Sequence, residues 1–212
     1  MASRARDRFR DDRMPIAIRQ ASTIDPRYRA EVSIGNLIMI DFHVQPTLKG
    51  HLIELRPLRL DDFDSLFAAA SDPLIWAQHP EPDRFKREVF TRFFDSALES
   101  KGALVIIDRE TGSIIGSSRY YDYKPEARQI KIGYTFLERA FWGGTYNGEL
   151  KKLMLDHAFQ FVDDVLFEVG EDNMRSQRAL QKIGAQFVKK VELERSYGNA
   201  LPCVVFKISR IS

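Results

Sequence analysis

The residues best placed to do chemistry lie in one glycine-bearing stretch, Trp142-Gly143-Gly144-Thr145-Tyr146-Asn147-Gly148. A β-favouring run at 130–137 precedes it, with Tyr134, Thr135 and Phe136 at its centre. A helical pattern follows, with Leu150, Leu153, Met154, Ala158 and Phe161 on one face. A loop that enters a helix after a strand can bind an anion, because the first-turn N–H groups lack partners and the helix dipole favours negative charge. Glycines there let backbone approach a ligand closely. The same residues also suit a turn that needs glycine for its geometry alone. Two phosphate motifs are excluded. Glu149 and Leu150 stand where a P-loop requires Lys and then Ser or Thr, and the glycine spacing is not that of a dinucleotide fingerprint. Glu149 itself is expected to complement the helix dipole.

Other side chains carry weaker signals. His79, in Trp76-Ala77-Gln78-His79-Pro80, titrates near neutrality and is a candidate base as well as an ordinary surface histidine. Asn173 and Ser176 open a helical pattern with Ala179, Leu180 and Ile183. Asn173 suits an N-cap, and Ser176 reads equally as a backbone-satisfied helix serine. Cys203 lies in a strand pattern and reads as core.

The elements that must position these groups fit one domain of 212 residues. The chain carries a formal net charge of +2, but residues 1–30 hold eight arginines against four aspartates, a net of +4 that leaves −2 elsewhere. A near-neutral folded part gives no reason to expect nucleic-acid binding. No run approaches a membrane span, no secretory h-region opens the chain, and one cysteine forms no intrachain bridge; a cytoplasmic location without membrane or metal follows as the expectation. Residues 1–38 read as a disordered extension and 39–212 as the domain, with Met1, Met14 and Met39 as alternative starts.

Along the chain, a strand at 51–57 leads to a helix capped by Asp61 or Asp62 with a Phe63, Leu66, Phe67, Ala70 stripe. Asp83 is expected to cap a phenylalanine-rich helix to about 101, with Gly102 as its C′ residue. Strands follow at 103–108 and 113–121, then the central strand, loop and helix, then 165–169, the helix from Asn173, and strands at 187–193 and 203–208 around a turn at 197–199. The expected class is α/β (α+β layered), with a central mixed, mostly antiparallel sheet flanked by helices.

This order, with IGYTFLERAFWGG, DNMRSQRALQKIGA and LIELRPLRLDDFDSLF, resembles the GNAT superfamily of N-acetyltransferases, in its ribosomal-protein-alanine acetyltransferase-like branch. The resemblance covers about residues 49–208. It implies acetyl-CoA as cosubstrate, held between two splayed strands, and a primary amine as acceptor (a protein N-terminus or a small molecule), attacked directly in a ternary complex. It implies that Thr135, Phe136 and Leu137 meet the pantetheine arm, that Trp142, Gly143, Gly144, Thr145, Tyr146 and Asn147 wrap the pyrophosphate, and that Asn173 and Ser176 line the thiol end. Ser176 becomes a candidate acid or thiol contact, and His79 a candidate base. Trp76, Arg119 and Tyr121 become candidate acceptor contacts. The family loop pattern, Q/R-x-x-G-x-G/A, is altered here by Trp142, Thr145 and Asn147, and Leu180 replaces a tyrosine that protonates the leaving thiolate in many members. Those departures leave a second reading, a non-catalytic acyl-CoA-binding or interaction module of the same fold; on either reading a monomer or homodimer is expected.

Overall fold

A computed structural model of the protein describes residues 42–194 and 200–210. The expectations for the basic extension, the alternative starts and the turn at 197–199 fall outside the described residues. Eight strands form one sheet in the order β1-β2-β3-β4-β5-β6-β8-β7. They are β1 (Leu48–Lys49), β2 (Ile53–Pro57), β3 (Ala103–Asp108), β4 (Ile114–Lys124), β5 (Gln129–Leu137), β6 (Asp164–Gly170), β7 (Gln186–Glu194) and β8 (Ala200–Ser209). All neighbours run antiparallel except β5 and β6. The mixed, mostly antiparallel sheet expected from the sequence is therefore present.

Alternation along the strands supplies two cores. On one face Leu58, Ala103, Val105 and Phe136 pack against α1 (Phe63–Ala70), α2 (Pro73–Trp76) and α3 (Arg87–Glu99), whose Leu66, Trp76, Phe90, Phe93 and Phe94 are buried. On the other face Leu55, Leu104, Ile106, Ile115, Ile130 and Ile132 meet α4 (Thr145–Ala158) and α5 (Met174–Lys182) through Leu150, Met154, Ala158 and Leu180. β3 is apolar on both faces because helices cover both.

Three local expectations are corrected. Asp62 makes no side-chain cap for α1. Its carboxylate takes both terminal nitrogens of Arg56 at 2.7 and 2.6 Å and the Arg59 N–H at 2.8 Å. A guanidinium arriving from β2 outcompetes the helix amides for the same oxygens. Asp83 opens no long helix either. It sits in a 3-10 turn, Pro82–Phe85, and extended Lys86 (ψ 134°) separates that turn from α3. Finally, the left-handed residue after α3 is Lys101 (φ 50°), not Gly102. Gly102 is needed for a different reason: a Cβ there would lie 2.1 Å from the Tyr120 carbonyl oxygen.

Candidate functional site

β5 and β6 pair only through Gln129↔Asp164, Ile130↔Val165 and Lys131↔Leu166. Beyond Lys131 the two strands part, while β6 stays paired to β8 as far as Gly170↔Cys203 and β5 to β4 as far as Leu137↔Gly116. Lys131 closes the apex of this wedge, its ammonium 2.6 Å from Glu168 and 2.8 Å from Asp122. Burial alone would lower the Lys131 pKa, but the two carboxylates outweigh it and raise it.

One wall of the wedge carries a bulge. The β4–β5 register jumps from Arg119↔Gly133 to Ser117↔Phe136, so Tyr134 and Thr135 face the single residue Ser118. Tyr134 has φ 52°, an uncommon conformation for a bulky residue. The Arg119 guanidinium covers its ring at 4.1 Å, and the Tyr121 ring meets it edge-on at 5.3 Å. Those contacts hold the strained residue in place.

A cavity of about 600 Å³ fills the wedge. Gly133, Tyr134 and Thr135 line it from β5, and Phe167, Glu168, Val169 and Gly170 from β6. Asn147 and Lys151 contribute from α4, Asn173, Ser176 and Leu180 from α5, and Cys203 from β8. Trp76, His79, Arg84, Phe93 and Tyr121 complete the opposite wall. In the phenylalanine-rich α3, Phe90 and Phe94 are core, while Phe93 also faces the cavity.

The glycine loop lies at the start of α4, which shares Asn147 with the cavity. Gly143 (φ 99°) and the N-cap Gly144 (φ 157°) take conformations that L side chains rarely adopt, and nothing lies within 4 Å of where their Cβ atoms would be. Backbone conformation, not crowding, therefore requires glycine, and open space remains over the first turn formed by Thr145, Tyr146 and Asn147. Trp142 donates its indole N–H to the Leu137 carbonyl at 2.9 Å, and the Arg175 guanidinium lies over its ring at 4.1 Å. Arg175 in turn donates to the Ile75 carbonyl at 2.6 Å, which ties α5, α2 and the loop together. Tyr146 points away to Asp108, 3.1 Å from its hydroxyl. An exposed amide turn with a cation beside it suits a pyrophosphate, and the wedge suits the extended arm of a CoA thioester.

The sequence-derived residues divide into groups. Trp76, His79, Tyr121, Thr135, Asn147, Asn173 and Ser176 come together on the cavity. Phe136 and Leu137 are buried beneath it, with the Phe136 ring 5.1 Å from Trp76. Arg119 stands behind Tyr134, with Nη1 3.4 Å from the Ser96 hydroxyl and Nε and Nη2 without hydrogen-bond partners among the described residues. His79 has both ring nitrogens engaged: Nδ1 accepts the Glu81 N–H at 2.9 Å, and Nε2 lies 3.1 Å from Arg84. Asn173 caps α5 by accepting the Ser176 N–H at 3.1 Å. Glu149 does not act as a dipole residue of the first turn. Its carboxylate accepts backbone N–H groups from His51, Leu52 and Ile53 at 2.5, 2.7 and 3.0 Å, and so clamps the β1–β2 turn to α4.

Sequence reasoning missed Lys151 and Glu168. Lys151 is 6% exposed, donates to the Thr135 hydroxyl at 2.8 Å and lies 5.6 Å from the Phe167 ring centre. Burial pushes its amine down to about 7. Glu168 accepts from Lys131 and from the Tyr121 hydroxyl at 3.3 Å. The available signal for Lys151 was its place one turn after Asn147 on a helix whose face is otherwise apolar.

Residues 53–186 match the family model described as an acetyltransferase (GNAT) domain. Among solved structures, the fold is similar to a GCN5-related N-acetyltransferase from Brucella melitensis, at TM-score 0.70 and 21% identity over 78% of this chain and 79% of that one. It is also similar to a GNAT-family acetyltransferase from Bacillus anthracis, at TM-score 0.64 and 18% identity over 77% and 98%. A third likeness is to Mycobacterium smegmatis RimJ in complex with CoA-disulfide, at TM-score 0.57 and 18% identity over 74% and 81%.

Proposed function

The chain belongs to the GNAT acetyltransferase family, and on that premise we propose that it transfers an acetyl group from acetyl-CoA to a primary amine by direct attack in a ternary complex. The observation that carries this reading is the wedge between β5 and β6, which leads to an exposed amide turn at the start of α4. In this arrangement the backbone of Thr135, Phe136 and Leu137 runs beside the pantetheine arm. Trp142, Gly143, Gly144, Thr145 and Asn147 surround the pyrophosphate, while Arg175 adds positive charge from α5. Asn173 and Ser176 border the thiol end. The acceptor amine enters from the wall of Trp76, His79 and Tyr121. Holding both reactants in one cleft removes most of the entropic cost of their encounter. A thiol leaving group of pKa about 8.5 needs little activation, so orientation and a single proton transfer complete the reaction.

The test is a thermal-shift titration of the full chain with acetyl-CoA, CoA, ATP and NAD, followed by thiol release from acetyl-CoA with an amine panel. The panel holds tripeptides with N-terminal alanine or serine, free amino acids and a polyamine. A ligand present at 100 times its dissociation constant adds about 2.7 kcal/mol to stability, so acetyl-CoA and CoA are expected to raise the melting temperature while ATP and NAD leave it unchanged. At least one amine is expected to accelerate thiol release. No shift with either CoA species would sink the proposal. A CoA shift without release for any amine would favour the non-catalytic module, to which the Thr145 and Asn147 departures point.

A further inference from the structure

Lys151 projects from α4 into the wedge, where Thr135 and Ser118 continue its hydrogen bonding: Nζ to the Thr135 hydroxyl at 2.8 Å, and that hydroxyl to Ser118 at 2.8 Å. No carboxylate forms an ion pair with it among the described residues. Of the acids that line the same cavity, Glu168 is held by Lys131 and Glu81 by Arg84. A lysine buried without a counter-charge is costly to a fold. Leu180, which lines the same cavity from α5, offers no acid to a departing thiolate.

We propose that Lys151 carries the proton of the transfer reaction, giving it to the departing thiolate and recovering it from the acceptor nitrogen. The inference rests on the acetyl-transfer reading above. The acceptor's nitrogen lone pair forms the C–N bond, and the C–S bond breaks with its electron pair going to sulphur. The Lys151 ammonium protonates that sulphur. The neutral Lys151 amine then takes the proton that the new amide nitrogen sheds. One proton has moved from amine to thiol, and the lysine is back in its starting state. Burial lowers the Lys151 amine to about 7, which matches the donor to a thiol of about 8.5 near neutral pH. The other titratable or charged groups on the cavity are His79, Glu81, Arg84, Arg92, Tyr121, Tyr134, Glu168 and Cys203.

Two measurements on the full chain test this. In the first, Lys151 is labelled competitively with acetic anhydride from pH 5.5 to 9.5, with and without saturating CoA, and peptides are mapped by mass. Labelling with a midpoint near 7, far below the ordinary lysine value near 10.4, and protection by CoA are the expected results. A midpoint near 10, no labelling at any pH, or labelling that CoA leaves unchanged while still raising the melting temperature would each overturn the proposal. Failure of CoA to stabilise the protein at all would strike the acetyl-transfer reading instead. In the second, Lys151→Met and Lys151→Arg are compared with the parent, using whichever panel amine gives turnover. Both are expected to lower kcat by about 10²–10⁴-fold with CoA affinity within about threefold, and both should lose the parent's pH dependence near 7. Arg carries a fixed charge and cannot return the proton. An arginine variant that keeps more than half the parent's rate would reduce Lys151 to an electrostatic support and overturn the assignment.

Discussion

Glu149 shows how one carboxylate can organise a distant turn. Its two oxygens accept three N–H groups from residues 51–53, and a Cβ on Gly50 would come within 2.6 Å of it. Glu149→Ala is expected to cost about 1.5–3 kcal/mol, read as a lower urea midpoint. Gly50→Ala should also destabilise, and the double variant should lose less than the two singles added, because both act on the same clamp. Lys151 gives a second residue-scale outcome. Its folded pKa lies below the value near 10.4 of the unfolded chain, so between about pH 7 and 10.4 the unfolded state binds more protons. Stability should therefore rise with pH across that window, and Lys151→Met should abolish the rise, as measured by denaturant titrations at pH 7 and 9.5. Neither role was legible in the sequence. Glu149 and Lys151 read as charges flanking an apolar helix face, and only the approach of the β1–β2 turn and the parting of β5 from β6 give them partners. Asn173 was legible, because an N-cap acts within its own helix.

At the scale of elements, glycines separate into those that permit contact and those that merely weaken a helix. A Cβ on Gly116 would meet the Phe136 carbonyl oxygen at 2.2 Å, beside the bulge that shapes the wedge. Gly116→Ala is expected to destabilise by about 1–3 kcal/mol and to shrink the CoA-induced rise in melting temperature. Gly148, within α4, has nothing within 4 Å of its would-be Cβ. Gly148→Ala should raise stability by about 0.5–1 kcal/mol. Differential scanning calorimetry with and without CoA checks both. The run of strands and helices was legible because burial imposes periods of 2 and 3.6 on each segment. The exceptions were Asp62, drawn off by Arg56 from another element, and two local backbone conformations, extended Lys86 splitting the second helix and left-handed Lys101 standing before Gly102. The wedge itself left no local mark, since β5 and β6 are both apolar and only their pairing register shows where they separate.

For the whole molecule, acid tolerance follows from its carboxylates. Burial would raise the pKa of Asp62, Asp108 and Asp164, but hydrogen bonds to Arg56 and to an amide, to Thr111 and Tyr146, and to Ser209 and Lys207 lower all three. Groups whose folded pKa is depressed stabilise the fold above the unfolded value near 3.9, and that contribution is lost as pH falls through the folded value. The melting temperature is therefore expected to hold down to about pH 4 and to drop steeply below it. Below the level of global unfolding, the three register pairs between β5 and β6 have a consequence of their own. They are the seam between two plates, β2 to β5 on one side and β6, β8 and β7 on the other, each internally laced by longer ladders. In hydrogen–deuterium exchange the ligand-free seam should open as a unit before either plate, and a bound CoA should act as mortar, slowing exchange on both plates at once.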